Sequence, residues 1–345
     1  ADVDKIILGN DGGVMYTVDK GNPWACKNGV GLAITQYYGI GVSEKHHIAG
    51  GSQDNDVSFN DGRNWKLPTL VQDGAEVVFD DNNPDIAYVQ KWCCSPGNKH
   101  IFKYTHNGTS WSSNFTDYKP SGHANNVRPM LMQGDYLYVG YQDVYKGTTP
   151  NLSWTKVSDF TNFGLTSEEH LVALDVALSD HDIMFTAFRG QSYGTTPAAH
   201  LFKTTSGGGT GANDWTDITA NLPSEITRWF PITNIRIHPE NPDIVWVSFG
   251  SLGKDNSGNT FFRVVKTTDG GDTWFDHSDG LTPFPVNDIV YRRGSNDEIY
   301  AATDVGVYYR DNSMNAWERY SNNLPITIVT DLEIDEELGL LTAGT

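Results

Sequence analysis

The sequence predicts an all-β chain folded as a seven-bladed β-propeller of four-stranded antiparallel blades, and three observations carry this. Seven of the ten tryptophans recur at a near-regular interval, a glycine-centred turn precedes the clearest of them, and no stretch shows the 3.6-residue period of an amphipathic helix.

The tryptophans are Trp24, Trp65, Trp111, Trp154, Trp215, Trp274 and Trp317, spaced 41, 46, 43, 61, 59 and 43 residues apart. From Trp317 through the termini to Trp24 is another 52 residues, so the period closes on itself. A ring explains that closure; a linear array does not.

Within each period a turn precedes a short apolar strand, as in Asn83-Pro-Asp-Ile-Ala-Tyr-Val89, Asn241-Pro-Asp-Ile-Val-Trp-Val247 and Ser295-Asn-Asp-Glu-Ile-Tyr-Ala301. These read as turns from a first strand (A) to a second (B). A variable loop, a third strand (C), the glycine turn and a fourth strand (D) complete the unit. Blade one is expected to be split. The N-terminal residues from Ile6 to about Leu32 supply strands B to D, and residues 326–334 supply strand A. Residues 338–345 form a surplus strand B, so residues 1–345 read as one propeller domain of a longer secreted protein.

The clearest turn is Thr267-Thr-Asp269-Gly-Gly271-Asp-Thr273-Trp274. Two further copies carry Asp19, Gly21 and Trp24, and Asn60, Gly62 and Trp65; a weaker one runs from Tyr104 to Trp111. The aspartate accepts hydrogen bonds from turn amides, the glycine supplies a positive φ, and the indole packs at the start of the next strand. These residues resemble the Asp box, or BNR repeat, with pattern Ser/Thr-x-Asp-x-Gly-x-Thr-Trp. The resemblance covers the whole chain through its period. It implies the propellers of sialidases, sortilin-like receptors, xyloglucanase-type glycoside hydrolases and secreted bacterial surface proteins, and the role it implies for the box residues is structural.

Charge narrows the function. Twenty-four Lys and Arg stand against forty-three Asp and Glu, a net −19. Phosphate backbones and anionic membranes would be repelled. No apolar run approaches the ~18 residues of a membrane helix. Cys26, Cys93 and Cys94 make an odd count, which cannot be a complete disulfide framework. Cys93 and Cys94 can join each other, one can join Cys26, or all can remain thiols.

In such a meander the A–B and C–D turns share one face, and the long B–C and D–A loops share the other. The loop face is the expected working surface. Its nominated ligand-binding residues are Trp92, Tyr118, His170, Tyr193, Arg228 and Trp229, whose rings and charges suit sugar stacking or a protein partner. A second set, Asp11, Asp54, Asp143 and Asp304, recurs at the ends of the B strands. It is expected either to form an acidic rim for Ca²⁺ or a cationic ligand, or to cap its own turns.

Enzyme readings find less support. The sialidase arginine triad and Arg-Ile-Pro motif are not matched; the nearest approach is Val127-Arg128-Pro129-Met130. A glycosidase needs two carboxylates about 5–9.5 Å apart, for which Asp54, Asp143 and Glu169 are the nominees. No histidine pair has metal-ligand spacing on a helix. The expectation is therefore a non-catalytic, extracellular or cell-surface module that recognises a glycan or protein, as an adhesin does. It requires no cofactor, with Ca²⁺ as an option, and has neighbouring domains in its parent chain. A glycoside hydrolase, or half of one, is the alternative; a scaffold domain that only spaces other modules is a third.

Overall fold

The computed structural model describes residues 4–10, 13–27, 35–62, 65–66, 73–92, 99–120, 129–166, 169–190, 199–223, 230–252 and 261–345. The chain divides into two compact units, residues 1–36 and 37–345. In the first, β1 (Ile6–Asn10), β2 (Gly13–Thr17) and β3 (Ala25–Cys26) form a three-stranded antiparallel sheet.

The second unit holds six four-stranded antiparallel meanders and a hairpin. The first meander is β4 (Tyr37–Val42), β5 (Ile48–Ser52), β6 (Asp56–Asn60) and β7 (Trp65–Lys66). The second is β8 (Asp73–Asp80), β9 (Asn83–Trp92), β10 (Lys99–His106) and β11 (Trp111–Asp117). The third is β12 (Met130–Gln133), β13 (Tyr136–Gly140), β14 (Val144–Thr148) and β15 (Ser153–Lys156). The fourth is β16 (His170–Val176), β17 (Met184–Arg189), β18 (Ala199–Thr204) and β19 (Thr216–Asp217). The fifth is β20 (Ile232–Ile237), β21 (Val245–Phe249), β22 (Val264–Thr267) and β23 (Phe275–Asp276). The sixth is β24 (Val286–Tyr291), β25 (Ile299–Thr303), β26 (Gly306–Arg310) and β27 (Glu318–Arg319). The hairpin is β28 (Asp331–Asp335) with β29 (Leu340–Gly344).

Two sequence expectations are revised here. The strand predicted over 326–334 begins at Asp331, and its partner is β29, the strand read as surplus, rather than β1. A tight turn through Gly339, at φ +63°, makes this local pairing the short route. Trp92, nominated on the loop face, is instead the last residue of β9.

The first strands of successive sheets adjoin in the order β4, β8, β12, β16, β20, β24, β28, and β28 adjoins β4 again. The core is correspondingly divided into slabs between neighbouring sheets. Ala49, Val57 and Phe59 of the first meander pack on Val77, Phe79, Val89 and Trp111 of the second. Ala173, Phe185 and Leu201 of the fourth meet Ile235, Val247 and Phe249 of the fifth. Face-to-face sheet packing of this kind buries the inner strands of the meanders it joins. Close approach is decisive at Gly51, where a Cβ would lie 2.1 Å from the Ala75 carbonyl oxygen.

All seven periodic tryptophans lie within one residue of the start of an outermost strand. Three indoles link neighbouring sheets. Trp154 Nε1 donates to the Tyr118 carbonyl at 2.5 Å, Trp215 Nε1 to Val157 at 2.9 Å and Trp317 Nε1 to His277 at 2.6 Å. Each acceptor lies just after the outermost strand of the preceding sheet.

The turn before Trp274 is a closed hydrogen-bond system. Thr267 Oγ1 accepts from the N–H groups of Asp269 (3.3 Å) and Gly271 (3.0 Å). Asp269 accepts from the Thr267 hydroxyl and from both the N–H and hydroxyl of Thr273. The bonds from Thr267 and Thr273 hold the Asp269 carboxyl well below its ordinary range. The threonine contacts recur at Thr17, with Asp19 and Gly21, and at Thr204, with Ser206 and Gly208. At the second copy Gly62 N–H bonds Asn60 Oδ1 at 2.8 Å. Gly21, Gly62, Gly108, Gly208 and Gly271 all have φ between +77° and +100°, the region glycine occupies without strain.

Candidate functional site: an acidic channel along the first strands

The first strands of the larger unit line a cavity of about 1110 Å³. It extends from the strand starts, at Tyr38, Pro129, Pro231 and Asn287, to the A–B turns, at Lys45, Pro84, Pro239 and Arg293. Among the described residues, ten acidic side chains line it against four basic ones, Lys45, Arg189, Arg236 and Arg293.

Its middle is a cluster of Glu76 (β8), Asp175 (β16), Asp288 (β24), Asp331 and Glu333 (β28) around Arg236 (β20). Local backbone geometry puts them there. The β20–β21 register shifts between Ile232 and Asn234, and the β24–β25 register between Val286 and Asp288. Such a bulge lets two consecutive side chains serve one face. Thr233 and Asn234, and likewise Asn287 and Asp288, therefore both reach the next sheet.

The result is a two-point stitch at three successive seams. Thr233 Oγ1 donates to the Val286 carbonyl at 2.6 Å, and Asn234 Nδ2 to Asp288 Oδ1 at 2.5 Å. Asn287 Nδ2 donates to the Val329 carbonyl at 2.8 Å, while Asp288 Oδ2 accepts from Leu332 N–H at 2.9 Å. Thr330 Oγ1 donates to the Tyr37 carbonyl at 2.7 Å, while Asp331 Oδ2 accepts from Ile40 N–H at 2.7 Å. Asp175 Oδ2 accepts from Ile237 N–H of the next sheet at 2.6 Å.

Crowding governs the charges. Burial, with Glu333 and Asp288 nearby, holds Glu76 well above its ordinary range. Burial and Asp288, Glu76 and Glu333 do the same to Asp331. Burial pushes Glu333 up to about 8 despite Arg236. Burial also raises Asp175 and Asp288, each moderated by Arg236. Burial works against the Arg236 guanidinium, but Asp175, Asp288 and Glu333 raise it overall. Arg236 is further fixed by its Nε–H bond to the Ile289 carbonyl at 3.0 Å. A cationic group entering the channel would favour the charged form of these carboxyls and draw their protons off.

The nominated residues fall elsewhere. Asp143 is buried and accepts from the Ser158 hydroxyl (3.0 Å) and Phe160 N–H (2.9 Å), with Lys156 Nζ at 2.9 Å. Asp304 accepts from Asn287 Nδ2 at 3.0 Å. Asp54 is exposed, at φ +60°. Glu169 Oε2 accepts from the N–H and hydroxyl of Thr166, both at 2.8 Å. Tyr118 is half-buried against the core between the second and third meanders. Trp92 ends β9 and His170 begins β16. Asp11, Tyr193, Arg228 and Trp229, with Cys93 and Cys94, lie outside the described residues. Cys26 is exposed in β3.

No family model matches the sequence, and no curated protein does. Solved structures do. The extracellular domain of a one-component system of B. thetaiotaomicron, BT4673, superposes with TM-score 0.63 at 15% identity, covering 91% of this chain and 38% of that one. An ancestral GH74 enzyme gives 0.60 at 13%, covering 94% and 47%. YCF48 from Cyanidioschyzon merolae gives 0.57 at 13%, covering 87% and 90%. The WD40 propeller of Doa1 gives 0.56 at 10%. The chain has a β-propeller fold. It spans well under half the length of the BT4673 domain, and at these identities the likeness concerns the fold alone.

Proposed function

We propose that the chain is an extracellular, non-catalytic recognition module: a seven-bladed Asp-box propeller that binds a glycan or protein bearing a cationic group where its channel opens on the long-loop face. Six four-stranded meanders supply six blades, and β28 with β29 begins the seventh. The seven first strands that follow one another back to β4 support that count. The threonine-centred turns at Thr17, Thr204 and Thr267 support the Asp-box reading.

The observation that carries the function is the lining of the channel, with its excess of carboxyls around Arg236. Two of the three carboxylates nominated for glycoside hydrolysis, Asp143 and Glu169, are spent on bonds within their own loops and sheets, and the third, Asp54, is exposed. That favours binding over turnover.

The test is an array of neutral, acidic and amino-sugar glycans with lysine- and arginine-containing peptides, probed at low and high salt. Binding should favour the cationic members, weaken with salt, and fall in a Glu76→Gln/Glu333→Gln variant. Release of reducing sugar, or preference for anionic ligands, would overturn the reading.

A further inference from the structure

On the turn face, away from the loop face, three side chains from three turns converge. His47 immediately precedes β5, Asp85 lies near the start of β9, and His106 ends β10 just before the Trp111 turn. His47 Nε2 is 3.5 Å from Asp85 Oδ1, and His106 Nδ1 is 3.7 Å from the same oxygen. All three donor atoms lie within 4.8 Å of one another.

Both imidazoles are more than nine-tenths buried. Among the described residues, neither ring nitrogen of His47 has a hydrogen-bond partner, nor has Nε2 of His106. Burying such groups unpaired forfeits their hydration without return and calls for an explanation. The rings are also held in place. Trp111 packs against His47 (centroids 5.3 Å) and His106 (5.1 Å), and is backed by Phe59 at 4.7 Å. Lys45 engages the other carboxylate oxygen of Asp85, Oδ2, and leaves Oδ1 facing the histidines.

We propose that His47, Asp85 and His106 form a transition-metal site that takes Zn²⁺ in preference to Ca²⁺ or Mg²⁺, with a fourth position open to water. Tetrahedral Zn²⁺ with bonds of about 2.0–2.1 Å sets its ligand atoms roughly 3.3 Å apart. The 3.5 and 3.7 Å separations from Asp85 approach this within a few tenths of an ångström, and the two imidazole nitrogens, within 4.8 Å of each other, would close by up to about 1.5 Å on binding. Two imidazole nitrogens and one carboxylate oxygen suit Zn²⁺, whereas Ca²⁺ and Mg²⁺ seek all-oxygen shells. The sequence concealed the site because its ligands come from two sheets, at spacings of 38 and 21 residues.

The test uses the full chain, stripped with chelator and titrated with Zn²⁺ by calorimetry. Co²⁺ serves as the spectroscopic probe of tetrahedral N/O ligation. The proposal expects one Zn²⁺ per chain and intense Co²⁺ d–d bands. Affinity should fall at least roughly tenfold in Asp85→Asn and be lost in His47→Gln/His106→Gln, while Glu333→Gln binds as the unsubstituted chain does. Asp85 is not part of the core, so its variant tests the site even if the histidine pair fails to fold. Absence of Zn²⁺ binding at millimolar metal, octahedral Co²⁺ spectra, or affinity unchanged in Asp85→Asn would overturn it.

Discussion

Asp331 accepts a hydrogen bond from the backbone N–H of Ile40 at 2.7 Å, joining residues 291 positions apart in the chain. The same stitch joins Asp288 to Leu332 one seam earlier. The contact between the last hairpin and β4 thus repeats what lies within the array, and Tyr37 N–H adds a 3.2 Å bond to the Thr345 carbonyl. Because burial and neighbouring acids favour the neutral carboxyl at Asp331, Asp331→Asn should cost under about 1 kcal/mol. Asp331→Leu leaves the Ile40 amide without its acceptor and should cost about 1–3 kcal/mol in urea unfolding.

Glu333 gives stability a pH dependence. Its folded pKa is about 8 against an ordinary 4.5. Between those values the folded chain holds a proton that the unfolded chain has released, so stability falls as pH rises through the window. His47, His200 and His277, all lowered by burial, act in the opposite sense below about pH 6.5. The clean interval is therefore pH 6.5–8. Glu333 alone should lower stability there by up to about 1.4 kcal/mol per pH unit; Glu76 and Asp331, also raised, act in the same sense, so Glu333→Gln should lessen the slope in thermal melts.

The tryptophans divide by what their indoles touch. Trp215 is buried and its Nε1 holds the Val157 carbonyl, so Trp215→Phe should cost about 2–4 kcal/mol through the lost bond and the smaller ring. Trp65 is 52% exposed, and Trp65→Phe should stay within about 0.5 kcal/mol. Equal losses in paired denaturation curves would show that the seven positions are not energetically distinct.

Gly51 tests the packing of the first two meanders. A methyl group there would stand 2.1 Å from the Ala75 carbonyl oxygen, and backbone cannot yield as a side-chain tip does. Gly51→Ala should cost about 3 kcal/mol or more. Among the described residues Gly62→Ala meets nothing within 4 Å, and it carries the penalty of its +82° φ, about 1 kcal/mol.

The tryptophan period made the fold legible, because an indole at the start of each outermost strand is a strictly local arrangement. The C-terminal pairing was not legible, since β1 and β29 both read as strand B and only the Gly339 turn favours the nearer partner. The channel acids were not legible as a site because they stand within strands rather than in loops. Their signal was present as Thr233-Asn234-Ile235, Asn287-Asp288-Ile289 and Thr330-Asp331-Leu332, one polar pair at the same place in three first strands. Asp143 illustrates the converse: its place at the end of a strand suggested a rim ligand, but the Ser158 hydroxyl and Phe160 amide claim its oxygens.

The central claim is that the channel carboxyls recognise a cationic group. Calorimetric titration with a chitosan oligomer and with an N-acetylated oligomer of equal length tests it most directly, in the unsubstituted chain and in Glu76→Gln/Glu333→Gln. The account predicts binding of the amino-sugar oligomer alone, weakened at least roughly tenfold in the variant and by added salt. Equal affinity for both oligomers, or affinity unchanged in the variant, would contradict it.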